Sequence, residues 1–342
     1  MSLKSTYEDK TLLVTGGAGS IGSELVGTLL NLEPRAIRVL DNNETGLFDL
    51  EQEHRSKKIR PLVGDVRDRE RLKRAFKGVD IVFHAAALKH VPLCEFNPFD
   101  AVKTNVIGTQ NVLDAAIDEE VDRFILISTD KAVNPTNVMG ATKLLAERLT
   151  ISANYYKGSK NTILSCVRFG NVLGSRGSVV PLFKKQITKG EPLTVTDPSM
   201  TRFIMDIPKA IKLILKAAEI AKGGEIFILK MPVMQISDLV SAMSEERNIK
   251  ECKTGKGIEV KTIGKRPGEK LYEELMTEPE AENAYENDEF IAVISTNDRQ
   301  ESDYTTIPEG FKKMKHRVYS SRNEPLLKRD EILAMLNDLK FK

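Results

Sequence analysis

The sequence predicts an α/β protein with a doubly wound parallel sheet, followed by a smaller mixed α/β lobe at the C-terminal end. Three observations predict this class. Short apolar runs alternate with helix-like stretches through the first half, which is the pattern of βαβ units. The first apolar run stops at a glycine-rich turn. Beyond about residue 168 the segments shorten, and glycine and proline punctuate them.

The predicted strands of the first half are apolar runs too short to be helices. They cover residues 11–15, 37–41, 60–63, 81–83 and 124–127. Helical spacing of apolar residues predicts a first helix over 21–30 and a later one over 207–221. Right-handed crossovers then place helices on both faces of the sheet. We therefore expect one domain over residues 1–168 and a second lobe over 169–342, which also returns some strands to the main sheet.

Composition argues against several classes of function. The net charge of +2 gives no support for binding nucleic acid or a membrane surface. No apolar stretch approaches the roughly 20 residues of a membrane span, and the first residues lack the order of a signal peptide. Cys94, Cys166 and Cys252 are spaced neither for a disulfide framework nor for a metal site. We expect a cytoplasmic protein with no bound metal, nucleic-acid partner or membrane span.

The turn after the first predicted strand carries a glycine pattern typical of phosphate binding. Gly16, Gly19 and Gly22 have the spacing G-x-x-G-x-x-G between a strand and a helix. Glycine lets the backbone approach a pyrophosphate, and the first residues of the helix, Ser20 and Ile21, offer free N–H groups. This pattern predicts a dinucleotide site of the Rossmann type, although such glycines can also form a turn alone.

Further cofactor candidates follow the next predicted strands. Asp41 lies about 20 residues beyond the glycines, where a carboxylate can accept hydrogen bonds from the adenosine ribose. This favours NAD over NADP, because a 2′-phosphate would meet a negative charge. Alternatively, Asp41 caps the following helix. Asp65 could reach the adenine or act as a turn residue. The other candidates at these strand ends are Asn42, Val66, Ala85, Ala86 and Ala87.

Three segments resemble a known family. The glycine turn over 16–22 resembles the extended short-chain dehydrogenase/reductase superfamily. Residues 85–92 (AAALKHVP) and 128–143 (STDKAVNPTNVMGATK) are more specific, and are similar to UDP-N-acetylglucosamine 4,6-dehydratases of surface-polysaccharide pathways. The resemblance covers about residue 10 to about residue 276. It implies an NAD-binding Rossmann domain over 1–168 and a UDP-sugar lobe over 169–342.

The resemblance implies a lyase reaction that yields a UDP-4-keto-6-deoxy-N-acetylhexosamine. C4 of the sugar is oxidised, the ketone acidifies the C5 proton, water is lost across C5 and C6, and hydride returns to C6. Because net redox is zero, NAD should stay tightly bound and be regenerated each cycle. Lys131 would be the base at C5 and Asp130 the acid at the leaving hydroxyl. Burial would then have to favour the neutral forms of this pair.

The implied catalytic set also includes Thr129, Met139 and Lys143. Thr129 could hydrogen-bond the C4 hydroxyl, but the group that accepts its proton stays open. The superfamily's usual Tyr-x-x-x-Lys pair is here Met139 and Lys143, and methionine cannot exchange a proton. Lys143 would anchor the nicotinamide ribose. The methionine variant resembles the configuration-retaining group of dehydratases. Tyr156 has a lysine at the same spacing, but glycine and serine interrupt that helix.

The resemblance also implies a set of substrate contacts, each of which could otherwise be a surface charge or a turn residue. Arginines suit the diphosphate because their fork donates hydrogen bonds in pairs. The implied contacts are Lys89, His90, Asn171, Arg202, Arg266 and Glu269. We expect His84 and Asn105 to be structural instead.

Two other functions remain open from the sequence. A UDP-sugar 4-epimerase would share the C4 ketone but normally needs the absent tyrosine. A non-catalytic NAD-binding regulator would explain Met139, but Asp130, Lys131 and Lys143 argue against lost activity. The resemblance implies a homo-oligomer, dimer or higher, through helices near 98–118 and 138–157. We expect the acidic residues 278–289 to be a solvated surface segment and the tail from 320 to contain a docking helix.

Overall fold

The computed structural model describes residues 3–251, 258–294, 307–315 and 317–339. Its strands are β1 (Thr11–Thr15), β2 (Ala36–Asp41), β3 (Ile59–Val63), β4 (Ile81–His84), β5 (Arg123–Ile127), β6 (Ile163–Arg168), β7 (Asn171–Val172), β8 (Leu193–Val195), β9 (Thr201–Met205), β10 (Glu225–Leu229), β11 (Val233–Gln235), β12 (Val260–Thr262), β13 (Glu274–Met276), β14 (Ala284–Glu286), β15 (Phe290–Ile294), β16 (Lys312–Lys313) and β17 (Tyr319–Ser320).

The α-helices are α1 (Leu3–Tyr7), α2 (Ser20–Leu30), α3 (Glu44–His54), α4 (Arg69–Phe76), α5 (Val91–Phe96), α6 (Pro98–Ala101), α7 (Gly108–Asp118), α8 (Val138–Tyr156), α9 (Val179–Lys189), α10 (Ile207–Ile220), α11 (Ile236–Glu251), α12 (Glu278–Ala281) and α13 (Arg329–Asn337). A π-helical segment, Val102–Ile107, joins α6 to α7, and a 3-10 turn, Asp130–Ala132, follows β5.

Within the described residues, ten strands form one sheet in the order β16-β14-β15-β10-β6-β5-β4-β1-β2-β3. The seven strands from β10 to β3 run parallel, and β15, β14 and β16 extend the sheet as antiparallel neighbours. The predicted α/β class with a parallel-dominated sheet is confirmed. Because β10 and the three antiparallel strands come from the second half of the chain, both halves build one sheet.

Burial explains why the central strands read as continuous apolar runs. All five residues of β1 are buried, as expected when helices cover both faces of a parallel sheet. In one group of helices α2 and α1 pack on α10, and in another α7 packs on α4 and α8. A second apolar cluster belongs to the smaller lobe and includes Phe183, Leu239 and Ile332. Its member Ile332 lies on α13, which packs on α11, so the predicted docking helix in the tail is confirmed.

The prediction of a solvated segment over 278–289 was wrong. Ala281 and Ala284 are buried, and β14 in this segment pairs with β15 in the main sheet. The acidic composition is misleading because the carboxylates have partners inside the fold. Glu280 is paired with the fully buried Arg168, and Glu286 lies 2.7 Å from the Nζ atom of Lys230.

Candidate functional site

A cavity of about 680 Å³ lies at the carboxyl ends of β1, β2, β4 and β5, where open α/β sheets bind ligands. It brings together residues that the sequence assigned separately to cofactor, reaction and substrate. The predicted residues that line it are Gly16, Gly19, Ser20, Ile21, Gly22, Asp41, Asn42, Asp65, Val66, Ala85, Ala86, Ala87, Lys89, His90, Thr129, Lys131, Met139, Lys143 and Asn171. Asp130 lies directly behind this lining, whereas Arg202, Arg266 and Glu269 lie outside it.

The glycine turn allows two backbone segments to meet at one end of the cavity. Gly16 has a φ of +68°, and a Cβ there would lie 2.5 Å from the backbone nitrogen of Ala86. A Cβ on Gly22 would lie 2.3 Å from the Gly16 carbonyl oxygen. Helix α2 begins directly after Gly19, which provides no side-chain cap. Its first N–H groups are therefore available to an anion in the cavity.

Asp41 is fixed to the glycine turn rather than to the next helix. Its carboxylate accepts hydrogen bonds from the backbone N–H groups of Ala18, at 3.0 Å, and Asn43, at 2.9 Å. Asn43 itself caps α3. Asp65 lines the cavity. It also serves as a turn residue, because its carboxylate accepts hydrogen bonds from both the backbone N–H and the side chain of Arg67. The Arg67 hydrogen bonds hold the pKa of Asp65 below its usual value.

The opposite end of the cavity holds a compact acid–base group just after β5. The Oγ1 atom of Thr129 donates to Oδ1 of Asp130 at 2.7 Å, and Nζ of Lys131 donates to the same oxygen at 3.0 Å. Asp130 is fully buried, and its Oδ2 has no hydrogen-bond partner in the described part of the chain. An unpartnered buried carboxylate oxygen is costly, so it marks a candidate for chemistry rather than packing.

Sequence reasoning missed a second buried carboxylate at this group. Glu273, just before β13, is 3% exposed, and its Oε1 lies 3.9 Å from Nζ of Lys131. Burial alone would lower the pKa of Lys131, but Asp130 and Glu273 outweigh it and raise that pKa above its ordinary value. Lys131 is therefore an ammonium in the substrate-free protein, whereas the predicted role needs the amine. No motif around residue 273 indicates this contact, which only the fold creates.

Lys143 and Met139 occupy the first turns of α8 and line the cavity. The Nζ atom of Lys143 donates to the carbonyl oxygen of Ile127 at 2.6 Å, and burial lowers the pKa of Lys143 to about 8. Met139 is 4% exposed and packs with Cys94. Tyr156, at the far end of α8, is about half exposed and does not line the cavity.

Two polar residues near the site are structural, as predicted. His84 is buried, with its ring nitrogens 2.6 Å from the Thr15 hydroxyl and 3.0 Å from the Thr109 hydroxyl. Burial lowers the pKa of His84 to about 3, so the ring is neutral. Asn105 exchanges hydrogen bonds with the backbone N–H and carbonyl of Leu88. His84 thus links β4 to β1 and α7, and Asn105 holds the backbone that follows β4.

Residues 173–178, here called the strap, cross from the smaller lobe to the glycine turn. The backbone N–H of Arg176 donates to the Ser20 hydroxyl at 3.0 Å, and the Arg176 guanidinium donates to the Ala18 carbonyl. The Nζ atom of Lys89 donates to the Arg176 carbonyl at 2.8 Å. Positive φ angles at Gly174 and Gly177 shape the strap. It therefore closes one side of the cavity over the glycine end.

The remaining predicted substrate residues differ in whether their polar atoms already have hydrogen-bond partners in the protein. Asn171 lines the cavity, and its buried Oδ1 has no partner within the described ranges. Arg202 is 8% exposed and donates to the carbonyls of Thr201 and Lys270. Glu269 accepts from the backbone N–H of Arg266 at 3.1 Å. Arg202 also lies 3.9 Å from Glu269 and 3.8 Å from Glu273, and none of Arg202, Arg266 and Glu269 is on the cavity wall.

The part of the chain that the structure describes contains no group of three or more His, Cys, Asp or Glu residues able to hold a metal ion. No helix over the same residues is both long and apolar enough to cross a membrane.

Proteins with three different names are similar in sequence to this chain over nearly its whole length. An uncharacterized membrane protein of Methanocaldococcus jannaschii is 58% identical over 99% of this chain and 98% of its own. A UDP-N-acetylglucosamine 4,6-dehydratase (inverting) of Campylobacter jejuni is 41% identical over 97% of this chain and 98% of its own. A UDP-glucose 4-epimerase of Rickettsia rickettsii is 39% identical over 98% of this chain and 97% of its own.

The likeness extends to solved structures and to a family model. Pen from Bacillus thuringiensis, known from an X-ray structure, has a TM-score of 0.90 and 43% identity to this chain. The match covers 98% of this chain and 99% of that one. The model of the family described as polysaccharide biosynthesis protein matches residues 12–295. The chain therefore belongs to the polysaccharide biosynthesis protein family.

Proposed function

We propose that the chain is an NAD-dependent UDP-N-acetylglucosamine 4,6-dehydratase that makes a UDP-4-keto-6-deoxy-N-acetylhexosamine for surface glycans. The observation that carries the proposal is the pair of the buried Asp130 and the cavity-lining Lys131, with the Thr129 hydroxyl, at one end of the cavity. Loss of water across two carbons needs an acid and a base side by side, whereas simple oxidation at C4 does not. The 41% identity to a named dehydratase supports the same reaction.

The residues at the other end of the cavity fit a dinucleotide. The cradle at Gly16 and Gly22 would be filled by any Cβ, and the uncapped start of α2 offers N–H donors for a pyrophosphate. Asp41 would meet the adenosine ribose and Lys143 the nicotinamide ribose. When bound, NAD would supply the oxidant for C4 and the hydride for C6. Because oxidation and reduction cancel within one cycle, we propose that NAD remains bound between turnovers.

Thr129 and Asp130 offer a route for the C4 hydroxyl proton. The Thr129 hydroxyl lies 2.7 Å from the Asp130 carboxylate and can pass a proton to it. Asp130 would then be a neutral acid before the C6 hydroxyl leaves, and would donate the same proton to form water. The proton taken at C4 is thus the one given at C6. Asp130 becomes neutral during the cycle, so burial does not have to neutralise it in advance.

Lys131 would remove the C5 proton and later return one to C5. Met139 stands where a tyrosine donor would be, and it cannot deliver a proton. With one lysine serving both steps, the proton leaves and returns on one face of the ring. We therefore propose retention at C5, although one relative is named as inverting. The product's configuration separates the two outcomes.

The UDP moiety would extend from the cavity past Asn171. Lys89 and His90 line the same cavity and would contact the substrate. Arg266 is exposed, so we assign it to the diphosphate, with Glu269 beside it for the uridine ribose. The guanidinium of Arg202 is already engaged with backbone carbonyls, so it would support this group.

A homo-oligomer is supported by apolar side chains on the surface. Leu93 is 61% exposed, Phe96 84% and Phe99 79%, and all three lie on α5 and α6. Clustered exposed apolar residues indicate a contact with another chain. Sedimentation of the purified protein would test this part of the proposal, and a monomer at micromolar concentration would refute it.

Incubation of the purified protein with UDP-N-acetylglucosamine, without added cofactor, tests the function. We expect the sugar nucleotide to lose the mass of one water, and Lys131→Ala to lower kcat by at least about 1,000-fold. Tyr156→Phe is the matched control and should keep full activity, because Tyr156 lies off the cavity.

Other results would point elsewhere. Conversion to UDP-N-acetylgalactosamine, with no loss of mass, would favour the epimerase reading that the rickettsial relative suggests. NAD binding without any turnover would favour a non-catalytic regulator.

A further inference from the structure

Glu273 is a second carboxylate at the reaction end, and its surroundings are unusual for a buried acid. Its Oε1 lies 3.9 Å from Nζ of Lys131 and 3.8 Å from Nε of Arg202. Its Oε2 is buried and has no hydrogen-bond partner among the described residues. The backbone of Glu273 is held separately, because its N–H donates to the Ser321 hydroxyl and its carbonyl accepts from the Ser321 N–H. The side chain is therefore not needed to fix the local backbone.

In the proposed reaction Lys131 acts as a base at C5, so its ammonium must first lose a proton. Its ammonium is stabilised by two carboxylates, Asp130 and Glu273. Once Asp130 has accepted the C4 hydroxyl proton, it no longer stabilises that ammonium. Glu273 then remains the only anionic carboxylate in contact with Lys131 within the described residues. A rotation of the Lys131 side chain that shortens its 3.9 Å separation from Glu273 to a hydrogen bond would let the lysine proton move to Glu273, and two opposite charges then disappear in one transfer.

We propose that Glu273 is a positioning residue that takes the proton of Lys131 and so creates the free amine that acts at C5. The transfer breaks an N–H bond of Lys131 and forms an O–H bond on Glu273. It converts an ammonium and a carboxylate into an amine and a carboxylic acid. After C5 has been reprotonated by Lys131, the proton returns from Glu273. The inference rests on the proposed function and deepens it.

The charges around Glu273 suit a reversible acceptor. Burial has the largest effect on its carboxyl and raises the pKa, and the Asp130 carboxylate raises it further only until Asp130 accepts its proton. The cations Lys131 of the 3-10 turn, Arg202 of β9 and Lys270 act in the opposite sense and only partly offset burial. Exclusion of water by a bound sugar would favour the neutral pair further.

Glu273→Gln tests the inference, because glutamine keeps the shape but cannot accept the proton. We expect kcat to fall about 100-fold, while KM stays within about threefold. Without the anion, Lys131 must lose its proton to solvent, so kcat of the variant should rise with pH through the alkaline range. The wild-type kcat should change little over that range. C5-deuterated substrate should give a larger isotope effect in the variant, and Glu273→Asp should restore part of the rate.

Glu274→Gln is the matched control, since the Glu274 side chain accepts from Asn134 and, among the described residues, forms no ion pair with Lys131. It should keep wild-type kcat. The inference is overturned if Glu273→Gln keeps kcat within threefold, if the loss is the same at every pH, or if Glu273→Asp shows no rescue. Should wild type itself fail to dehydrate the sugar nucleotide, the proposed function fails instead, so the two failures are distinguishable.

Discussion

The buried Arg168 and the partly buried Lys131 each face two carboxylates, but the two cations differ in how fully their hydrogen bonds are satisfied. Arg168 donates to both carboxylate oxygens of Glu147, at 3.0 and 2.6 Å, and to both of Glu280, at 3.0 and 3.1 Å. Lys131 makes one hydrogen bond to Asp130 and a 3.9 Å contact with Glu273. One oxygen of each of these two acids has no partner in the described part of the chain.

The difference separates a structural cluster from a reactive one. The Arg168 cluster joins β6, α8 and α12, and its guanidinium also donates to the Leu275 carbonyl in β13. Complete hydrogen bonding is what a buried ion cluster needs in order to stabilise a fold. At Lys131 the hydrogen bonding is incomplete, so a proton can move between Lys131 and its two carboxylates. Incomplete satisfaction of buried polar atoms is expected at functional sites, where the fold bears the cost elsewhere.

The largest expected effect on stability comes from breaking the satisfied cluster. Arg168→Met leaves Glu147 and Glu280 buried without their cation, so we expect the free energy of unfolding to fall by about 3–5 kcal/mol. Urea unfolding measures it. Lys73→Met is the control, because Lys73 pairs with Glu70 on the surface and its loss should cost less than about 1 kcal/mol. Equal losses in the two variants would show that the Arg168 cluster stabilises the fold no more than a surface ion pair does.

A smaller effect concerns Lys143, a buried cation with no carboxylate bound to it directly. Its folded pKa of about 8 lies below the unfolded value, so the charged form destabilises the fold. That cost is full below pH 8 and disappears as pH rises toward the unfolded pKa. Relative to Lys143→Met, wild type should therefore gain on the order of 2 kcal/mol between pH 7 and pH 10.

Urea unfolding of both proteins across that pH range checks this prediction. Comparison with the variant cancels the titration of other groups. A stability difference that stays constant with pH would mean that Lys143 keeps its ordinary pKa in the fold.

The smallest effect is expected at Met139, which contacts the site without exchanging protons. Met139→Leu conserves volume, so the free energy of unfolding should change by less than about 1.5 kcal/mol. Because no proton passes through this side chain, kcat should also stay within about threefold. Turnover assays and urea unfolding measure the two quantities. A loss in kcat beyond tenfold would show that Met139 does more than fill space beside the reacting ring.

Local motifs made part of this site predictable. The glycine turn and the Thr129–Asp130–Lys131 segment are contiguous, and each follows an apolar strand whose burial the sequence indicates. The structure brings them to one cavity, as strand-end residues of a parallel sheet should be. The same reasoning made the roles of His84 and Asn105 predictable, because a polar residue inside an apolar run must find hydrogen bonds.

Features that depend on distant pairing could not be predicted. Glu273 looks like one of many surface acids until the fold places β13 beside the 3-10 turn. The protonation state of Lys131 depends on that contact, so it could not be predicted from the sequence either. The prediction for residues 278–289 was wrong for the same reason, since the charge of Glu280 in α12 is neutralised by Arg168 from the distant strand β6. The division of the chain at residue 168 remains a prediction.

The strap over residues 173–178 has a consequence for how the protein would behave in a cell. Hydrogen bonds from Arg176 to Ser20 and from Lys89 to Arg176 hold the strap in place and would oppose the exit of a dinucleotide on that side of the glycine end. A cofactor held there as proposed would act as a prosthetic group, so turnover would not follow the cellular ratio of oxidised to reduced nicotinamide. The same retention carries a hazard. A sugar that escaped halfway would strand the protein in its reduced form, and recovery would wait for the strap to open.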